Sequence, residues 1–435
     1  MQKVKVIGGG LAGAESAYYL ATHGVQVELY DIKPNKFTPA HKSQNYGELV
    51  CSNSLKSNDI YGNAAGLLKE ELRNLGSLVI QAGDKTRVPA GNALAVDREK
   101  FSEYITEKLR SQKNITRISA EVEDIDLNEY TIIASGPLTT DKLSENLKKY
   151  VGGGLSFYDA SAPVIDADSI DMENAFVGDR WDKGDGDHIN CPMTKEEYLE
   201  FMNQLLKAER AELHGFENTA VFEGCMPIEV MATRGTDTLR FGPLKPAGLT
   251  NPKTGRWAYA CLQLRKEDAE GKMYNLIGFQ TNLLWGEQKR VFSIIPALKN
   301  AEYLRYGVMH RNTFINSPKV LNPDYSLKEH PKIFFAGQIT GVEGYVESAG
   351  SGLMSAIYCL RKLKGESEIL VSDKTVLGSL ARYITTENKD FQPMNANFGI
   401  LPTLDRVIRD KSERKKQMAE RSLKEINDFK KEIYL

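Results

Sequence analysis

The stretch Lys3 to Gly13, KVKVIGGGLAG, constrains what this chain can fold into more than any other. Val4, Val6 and Ile7 form an apolar run of the length expected for a buried parallel strand. Gly8, Gly10 and Gly13 follow at once in G-x-G-x-x-G spacing, and Ala14 to Leu20 then reads as a helix. The first glycine permits a tight turn, the second lets the backbone approach a pyrophosphate, and the third lets the helix pack on the strand. The free N–H groups and positive dipole end of the helix then face the phosphates. Val25 to Tyr30 reads as a second strand ending in Asp31, about 20 residues on, where a carboxylate meets a ribose hydroxyl. A purely structural βαβ unit would share the glycine spacing. The strand before it, the helix after it and the acid beyond favour a nucleotide. The expected cofactor-binding set is therefore Gly8, Gly9, Gly10, Leu11, Ala12, Gly13 and Asp31.

A length of 435 residues suggests two or three domains. With 41% hydrophobic and 26% charged residues, the composition is that of a globular chain able to bury a sizeable core. The net charge of −2 excludes a globally basic surface, so any nucleic-acid contact must be a local patch. No apolar run approaches the ~18–20 residues of a membrane span. No signal peptide is expected, since the first strand begins within the first few residues. Cys51, Cys191, Cys225, Cys261 and Cys359 are scattered and form no C-x-x-C, which argues against a zinc knuckle or a disulfide framework and suits a reducing cytoplasm. No metal site is expected, because His310 has no second ligand at suitable spacing.

Along the chain, Lys33 to Asn58 reads as a long polar loop with Cys51 in LVCSNSLKSN, a setting less core-like than an apolar run. Gly62 to Leu78 has helical spacing, and Asp97 is a plausible N-cap for a further helix. Tyr130 to Pro137 reads as a buried strand and turn. After Gly152-Gly153-Gly154 the texture changes, and Thr194 and Glu197 stand in capping-box spacing. In FEGCMPIEVMA, Cys225 lies at a Gly- and Pro-flanked turn, compatible with a reactive thiol or a buried one. The region up to Trp285 alternates apolar and polar residues, as antiparallel strands do. Its cations Arg234, Arg240, Lys245, Lys253, Arg256 and Arg265 suit either a phosphate-binding face or solvated strands. Lys332 to Gly352 returns to strand, glycine turn and helix, with the helix expected from about Ser348. That second unit implies a cofactor domain interrupted by an insertion. Tyr345 sits where a ring could stack on a flat heterocycle or simply pack. Asp405 to Leu435 reads as a terminal charged helix.

GGGLAG, ELVCSNSLKSN, FEGCMPIEVMA, RYGVMHRNTFINSP, FFAGQITGVEGYVESAGSG and FQPMNANFGIL occur in this order over essentially the whole chain. Together they resemble the folate- and FAD-dependent tRNA (uracil-5-)-methyltransferases. The glycine turns are shared with a related tRNA carboxymethylaminomethyl-modification flavoprotein family; the cysteine motifs are more specific. The resemblance implies an α/β fold, a discontinuous Rossmann-like FAD-binding domain with an inserted α+β domain. The corresponding divisions are 1–160, 161–318 and 319–435, the inserted segment lying on the RNA side. It implies FAD as cofactor, methylenetetrahydrofolate as one-carbon donor, NAD(P)H as reductant and the T-loop uridine of tRNA as substrate. It implies that Cys225 is the uracil nucleophile and Cys51 a second thiol at the flavin, and it adds Gly337, Gln338 and Tyr345 to the cofactor set. No protein partner is evident. The alternatives are a related enzyme modifying another uridine, in ribosomal RNA or by carboxymethylaminomethyl chemistry, and a silent FAD-bearing RNA-binding scaffold.

Overall fold

The computed structural model describes residues 3–38, 40–153, 155–182, 186–211, 226–268, 270–388 and 391–433. Lys3–Ile7 lies at the centre of a five-stranded sheet. Gln26–Asp31 and then Ile115–Ser119 lie on one side, Tyr130–Ile133 and then Ile333–Phe335 on the other, and every neighbouring pair is parallel. Val4, Val6, Leu29, Ile132 and Phe334 are fully buried, as apolar strands covered on both faces should be. The edge strand Ile333–Phe335 pairs residue by residue with Thr131–Ile133, so the chain leaves this sheet after Ile133 and returns to it some two hundred residues later.

Two helices cross on one face of the sheet, Leu11–Thr22 and Tyr345–Lys364. Their contact is close because Gly352 has no side chain: a Cβ there would meet the Ala12 carbonyl oxygen at 2.4 Å. The Ser16 hydroxyl donates to the Gly352 carbonyl at 2.7 Å across the same crossing. Buried carboxylates fasten further helices to this layer. Glu15 accepts from the Leu78 and Val79 N–H groups and the Ser77 hydroxyl at 2.8–2.9 Å, holding the N-terminus of helix Leu78–Lys85. Glu71 accepts from Val376 N–H at 2.7 Å, Leu377 N–H at 2.9 Å and the Ser422 hydroxyl, tying helix Val376–Thr385 and the terminal helix Lys411–Ile433 to helix Ala64–Asn74.

The intervening chain builds a second, antiparallel layer with its own core. Phe176–Val177, His188–Met193, Ala260–Lys266, Met273–Leu276, Val164–Asp166 and Tyr303–Arg305 form a six-stranded sheet in that order. Helices Lys195–Lys207 and Trp285–Phe292 pack on it through Phe201 and Phe292, whose rings meet Phe279 at 5.9 and 5.0 Å. The capping box expected at Thr194 and Glu197 is formed, and Asp97 caps helix Arg98–Ser111 through the Lys100 N–H. Strand Leu155–Ala160 pairs with Met309–Phe314 where the chain enters and leaves this layer.

Two boundaries differ from the sequence reading. The helical stretch from Gly62 to Leu78 is two helices, Ala64–Asn74 and Leu78–Lys85, because Gly76 adopts a φ of +80° and Ser77 starts a new N-cap. The helix after the second glycine turn begins at Tyr345 rather than near Ser348, since Gly344 at φ +125° already makes the turn. Among the described residues, no helix is long and apolar enough to cross a membrane.

Candidate active site at the two glycine turns

Gly8 takes a φ of +106°, and a Cβ on it would fall 2.4 Å from the Ala134 carbonyl oxygen, so only glycine fits. A Cβ on Gly13 would lie 1.8 Å from the Gly8 carbonyl oxygen, which is the close helix-on-strand packing expected of the third glycine. Gly10 is different. It caps helix Leu11–Thr22 in an extended conformation, and a Cβ on it would meet nothing within 4 Å. The space it leaves is the cleft, not the protein. Because Gly10 has no side chain to accept from the first helical N–H groups, those donors are left for an anion.

Gly8 to Ala12, Asp31, Gly337, Gln338 and Tyr345 all line one cleft, and Gly13 lies behind it. Both Asp31 oxygens are oriented by backbone donors, Oδ2 by Gly9 N–H at 2.9 Å and Oδ1 by Lys33 N–H at 2.8 Å. Each oxygen keeps a lone pair for a ribose hydroxyl. From the other side, Gly337 (φ +83°) is held by Ser351 Oγ at 2.6 Å, and Gln338 donates to Glu343 at 2.5 Å. The second helix, Tyr345–Lys364, also begins at a glycine without a side-chain cap. A cradle with bare helix donors, a gap where a Cβ would intrude and a preset ribose acceptor fits a dinucleotide such as FAD.

Cys51 sits beside this cleft on a loop clamped from four sides. The Tyr345 hydroxyl oxygen accepts from Cys51 N–H at 2.7 Å and Ser52 N–H at 3.1 Å. Arg98 donates to the Leu49 carbonyl at 2.7 Å. Arg265 donates to Ser52 Oγ at 2.8 Å and Asn53 Oδ1 at 3.0 Å. Asn53, fully buried, donates onward to the carbonyls of Val96 and Lys266 at 3.0 and 2.8 Å. Beyond the loop, the Lys69 ammonium is caged by the carbonyls of Leu55, Ser57 and Ala65 at 2.6–2.9 Å, and burial pulls its pKa down to about 7.

Arg98, Arg265 and Arg305 converge here with Glu267. Glu267 is bound by Arg98 at 2.8–3.1 Å, while Arg305 stands 4.0 Å from it. Burial lowers the pKa of both Arg265 and Arg305, the latter to about 10, and the Glu267 and Cys51 charges oppose that fall. Burial likewise pushes the Tyr345 phenol up. Sequence reasoning missed this cluster. Arg265, which by sequence suits a phosphate-binding face or a solvated strand, is buried, and Arg98 carries no local signal at all. Arg305 stood at the start of RYGVMHRNTFIN, where only the segment drew notice.

Cys225 lies outside the described residues, as do the side chains of His310, Arg311 and Asn312. Cys191, Cys261 and Cys359 are buried, and burial pushes all three thiols up, as for small core residues. No group of metal-ligating side chains occurs among the described residues.

The family model described as "Glucose inhibited division protein A" matches residues 3–367. The chain is 54% identical over 434 residues to the methylenetetrahydrofolate--tRNA-(uracil-5-)-methyltransferase TrmFO of Lactobacillus gasseri, covering 99% of each. It is 53% identical over 435 residues to the protein of the same name from Staphylococcus aureus, covering 99% of this chain and 100% of that one. Among solved structures, Aquifex aeolicus GidA superposes with a TM-score of 0.73 at 17% identity, over 99% of this chain and 73% of that chain.

Proposed function

The chain belongs to the methylenetetrahydrofolate–tRNA-(uracil-5-)-methyltransferases within the glucose inhibited division protein A family, and on that premise we propose how its residues serve that reaction. It converts uridine in tRNA to 5-methyluridine with methylenetetrahydrofolate as one-carbon donor, the target being the T-loop uridine. The cleft would hold FAD, with Gly8 to Ala12 offering backbone donors to its pyrophosphate, Asp31 an acceptor to its ribose, and Gly337, Gln338 and Tyr345 lining the far side. When bound, FAD reduced by NAD(P)H supplies the hydride that turns a transferred methylene into a methyl group.

Carbon 5 of uracil is a poor nucleophile until a thiolate adds to carbon 6. Cys225 makes that addition, and Cys51 is the second thiol, at the cofactor. The observation that carries this reading is the tie between Cys51 and Tyr345, since one side chain lines the dinucleotide cleft and fixes the backbone of the thiol. A thiol held at that place has work to do beside the cofactor, which a silent scaffold would not require.

The same reading divides the chain into 1–160 and 319–435, the two parts of the FAD-binding domain, and 161–318, the inserted domain on the RNA side. It places the protein in the cytoplasm, where tRNA is modified and thiols stay reduced. The decisive experiment is nucleoside mass spectrometry of tRNA after incubation with the enzyme, isotope-labelled methylenetetrahydrofolate and NADPH. Labelled 5-methyluridine is expected; a labelled carboxymethylaminomethyl product, or none, would overturn the reading.

A further inference from the structure

Arg305 presents two buried donors, Nε and Nη2, with no hydrogen-bond partner among the described residues. Buried donors of a charged group are rarely left unmet, and such an orphan calls for a ligand or ion the chain does not itself provide. Glu267 does not meet the need, since Arg98 holds it in a bidentate pair and Arg305 is 4.0 Å away. The groups facing Arg305 are Arg98, Glu267, Tyr345 and Cys51, and Arg265 lies against the same Arg98, Glu267 and Cys51. Three guanidiniums thus stand against one carboxylate in a buried setting. A β-bulge between Tyr303 and Arg305, where the register against Ile165 and Val164 shifts, sets how Arg305 is aimed. Bulges of this kind commonly re-aim a side chain next to a reaction centre.

We propose that Arg305 is a catalytic residue that receives the negative charge developing on the carbonyl oxygen at carbon 4 of the target uracil. This rests on the reading that the chain methylates uracil at carbon 5 beside Cys51. When the thiolate sulfur bonds to carbon 6, the electron pair of the 5,6 double bond moves toward carbon 4 and its oxygen becomes an enolate. That pair then forms the bond from carbon 5 to the methylene as one of its two bonds to folate nitrogen breaks. Loss of the proton from carbon 5 breaks the second and leaves an exocyclic methylene on the uracil. Addition of the hydride that the proposed reaction supplies turns this into the methyl group and expels the thiolate from carbon 6. Carbon 4 adjoins carbon 5, so a uracil placed to accept carbon next to Cys51 brings that oxygen into the arginine cluster. Preset donors in a dry site stabilise such a charge without reorganising. At neutral pH the guanidinium remains charged.

The test compares wild type, Arg305→Gln and Arg305→Lys, each with FAD bound. It measures kcat, the KM for tRNA and for methylenetetrahydrofolate, the rate of flavin reduction by NADPH, and the rate of covalent adduct formation with 5-fluorouridine-containing tRNA on denaturing gels. Arg305→Gln is expected to lower kcat and the adduct rate by about 100-fold or more, with both KM values within about twofold and flavin reduction unchanged. Arg305→Lys keeps a charge but not the fork, and should fall by roughly tenfold; should the glutamine variant fail to fold, the lysine variant decides. Adduct rates equal to wild type in a folded variant overturn the proposal. So does a rise in the folate KM alone, which would assign the donors to a folate carboxylate. A salt-dependent rise in the tRNA KM alone would assign them to a phosphate, and slowed flavin reduction alone to the cofactor. A wild type that forms neither adduct nor 5-methyluridine would defeat the underlying reading instead.

Discussion

The phenol oxygen of Tyr345 accepts the backbone N–H of Cys51 at 2.7 Å, and the neighbouring Ser52 N–H shares the same acceptor at 3.1 Å. Tyr345 opens the helix that runs from the second glycine turn, so the dinucleotide cleft and the thiol loop are one mechanical unit. Arg265 adds the antiparallel layer to that unit through Ser52 and Asn53. Elements from both sheets must therefore assemble before Cys51 has its place.

Tyr345→Phe removes one acceptor and leaves two backbone donors competing for none. An unsatisfied buried donor costs about 1–3 kcal/mol, enough to release the loop without dissolving the fold around it. The variant should keep its flavin spectrum yet lose about tenfold or more in 5-methyluridine formation, with a modest drop in Tm. Full activity would show that the loop is held by its other clamps alone.

Gly10→Ala separates cofactor binding from folding. Gly10 has φ −74° and ψ −169°, a conformation open to any residue, and its added Cβ meets no protein atom. Stability of the cofactor-free protein should change by no more than about 0.5 kcal/mol, while FAD affinity falls by about tenfold or more, because the methyl group occupies the approach to the pyrophosphate. Gly13→Ala is the contrast, since its Cβ strikes the Gly8 carbonyl and should damage the fold itself. Flavin titrations and thermal melts of both variants check the pair.

Much of the cofactor layer was legible because its signals are local. The apolar strand, glycine spacing and acid at Asp31 lie within the first 31 residues, and each element formed where the pattern put it. The capping signals at Asp97 and Thr194 were equally local. The reading failed where a single glycine conformation decided, at Gly76 and Gly344, because composition does not reveal which glycine takes a positive φ. It was blind to the arginine cluster, whose members come from the start of a helix near the cleft, a strand inside the antiparallel sheet and its bulged edge strand. Nothing in the vicinity of Arg98 in the sequence announces Glu267. Only the docking of the helix that Arg98 opens beside the end of strand Ala260–Lys266 brings them to 2.8 Å.

Glu71 gives a prediction in pH. Burial raises its pKa to about 7, against the opposing hydrogen bonds from Ser422, Val376 and Leu377. A carboxyl whose folded pKa exceeds the unfolded one of about 4.5 favours folding most below about pH 4.5, and that contribution is lost as the pH rises toward 7. Glu71→Gln replaces one acceptor oxygen with a donor facing a helix N–H, and should cost about 1–3 kcal/mol. Thermal melts across pH 4.5–7.5 should show the decline in Tm flatter in the variant than in wild type. An unchanged slope would mean that Glu71 titrates no differently in the folded protein.

The two thiols allow the sharpest division of roles. Cys51 is fixed at the cleft by Tyr345, whereas Cys225 belongs by its motif to a Gly- and Pro-flanked turn. If Cys225 adds to carbon 6, wild type should form a stable covalent complex with 5-fluorouridine-containing tRNA, because fluorine cannot leave carbon 5 as a proton does. Cys225→Ala should keep FAD and fold yet form no complex and no 5-methyluridine. Cys51→Ala should also lose turnover while still forming the complex, since its part lies beside the cofactor rather than at carbon 6. A complex lost only in Cys51→Ala would exchange the assignments. Full turnover in both single variants would make the thiols structural, and the tie from Tyr345 to Cys51 would then serve the cleft alone.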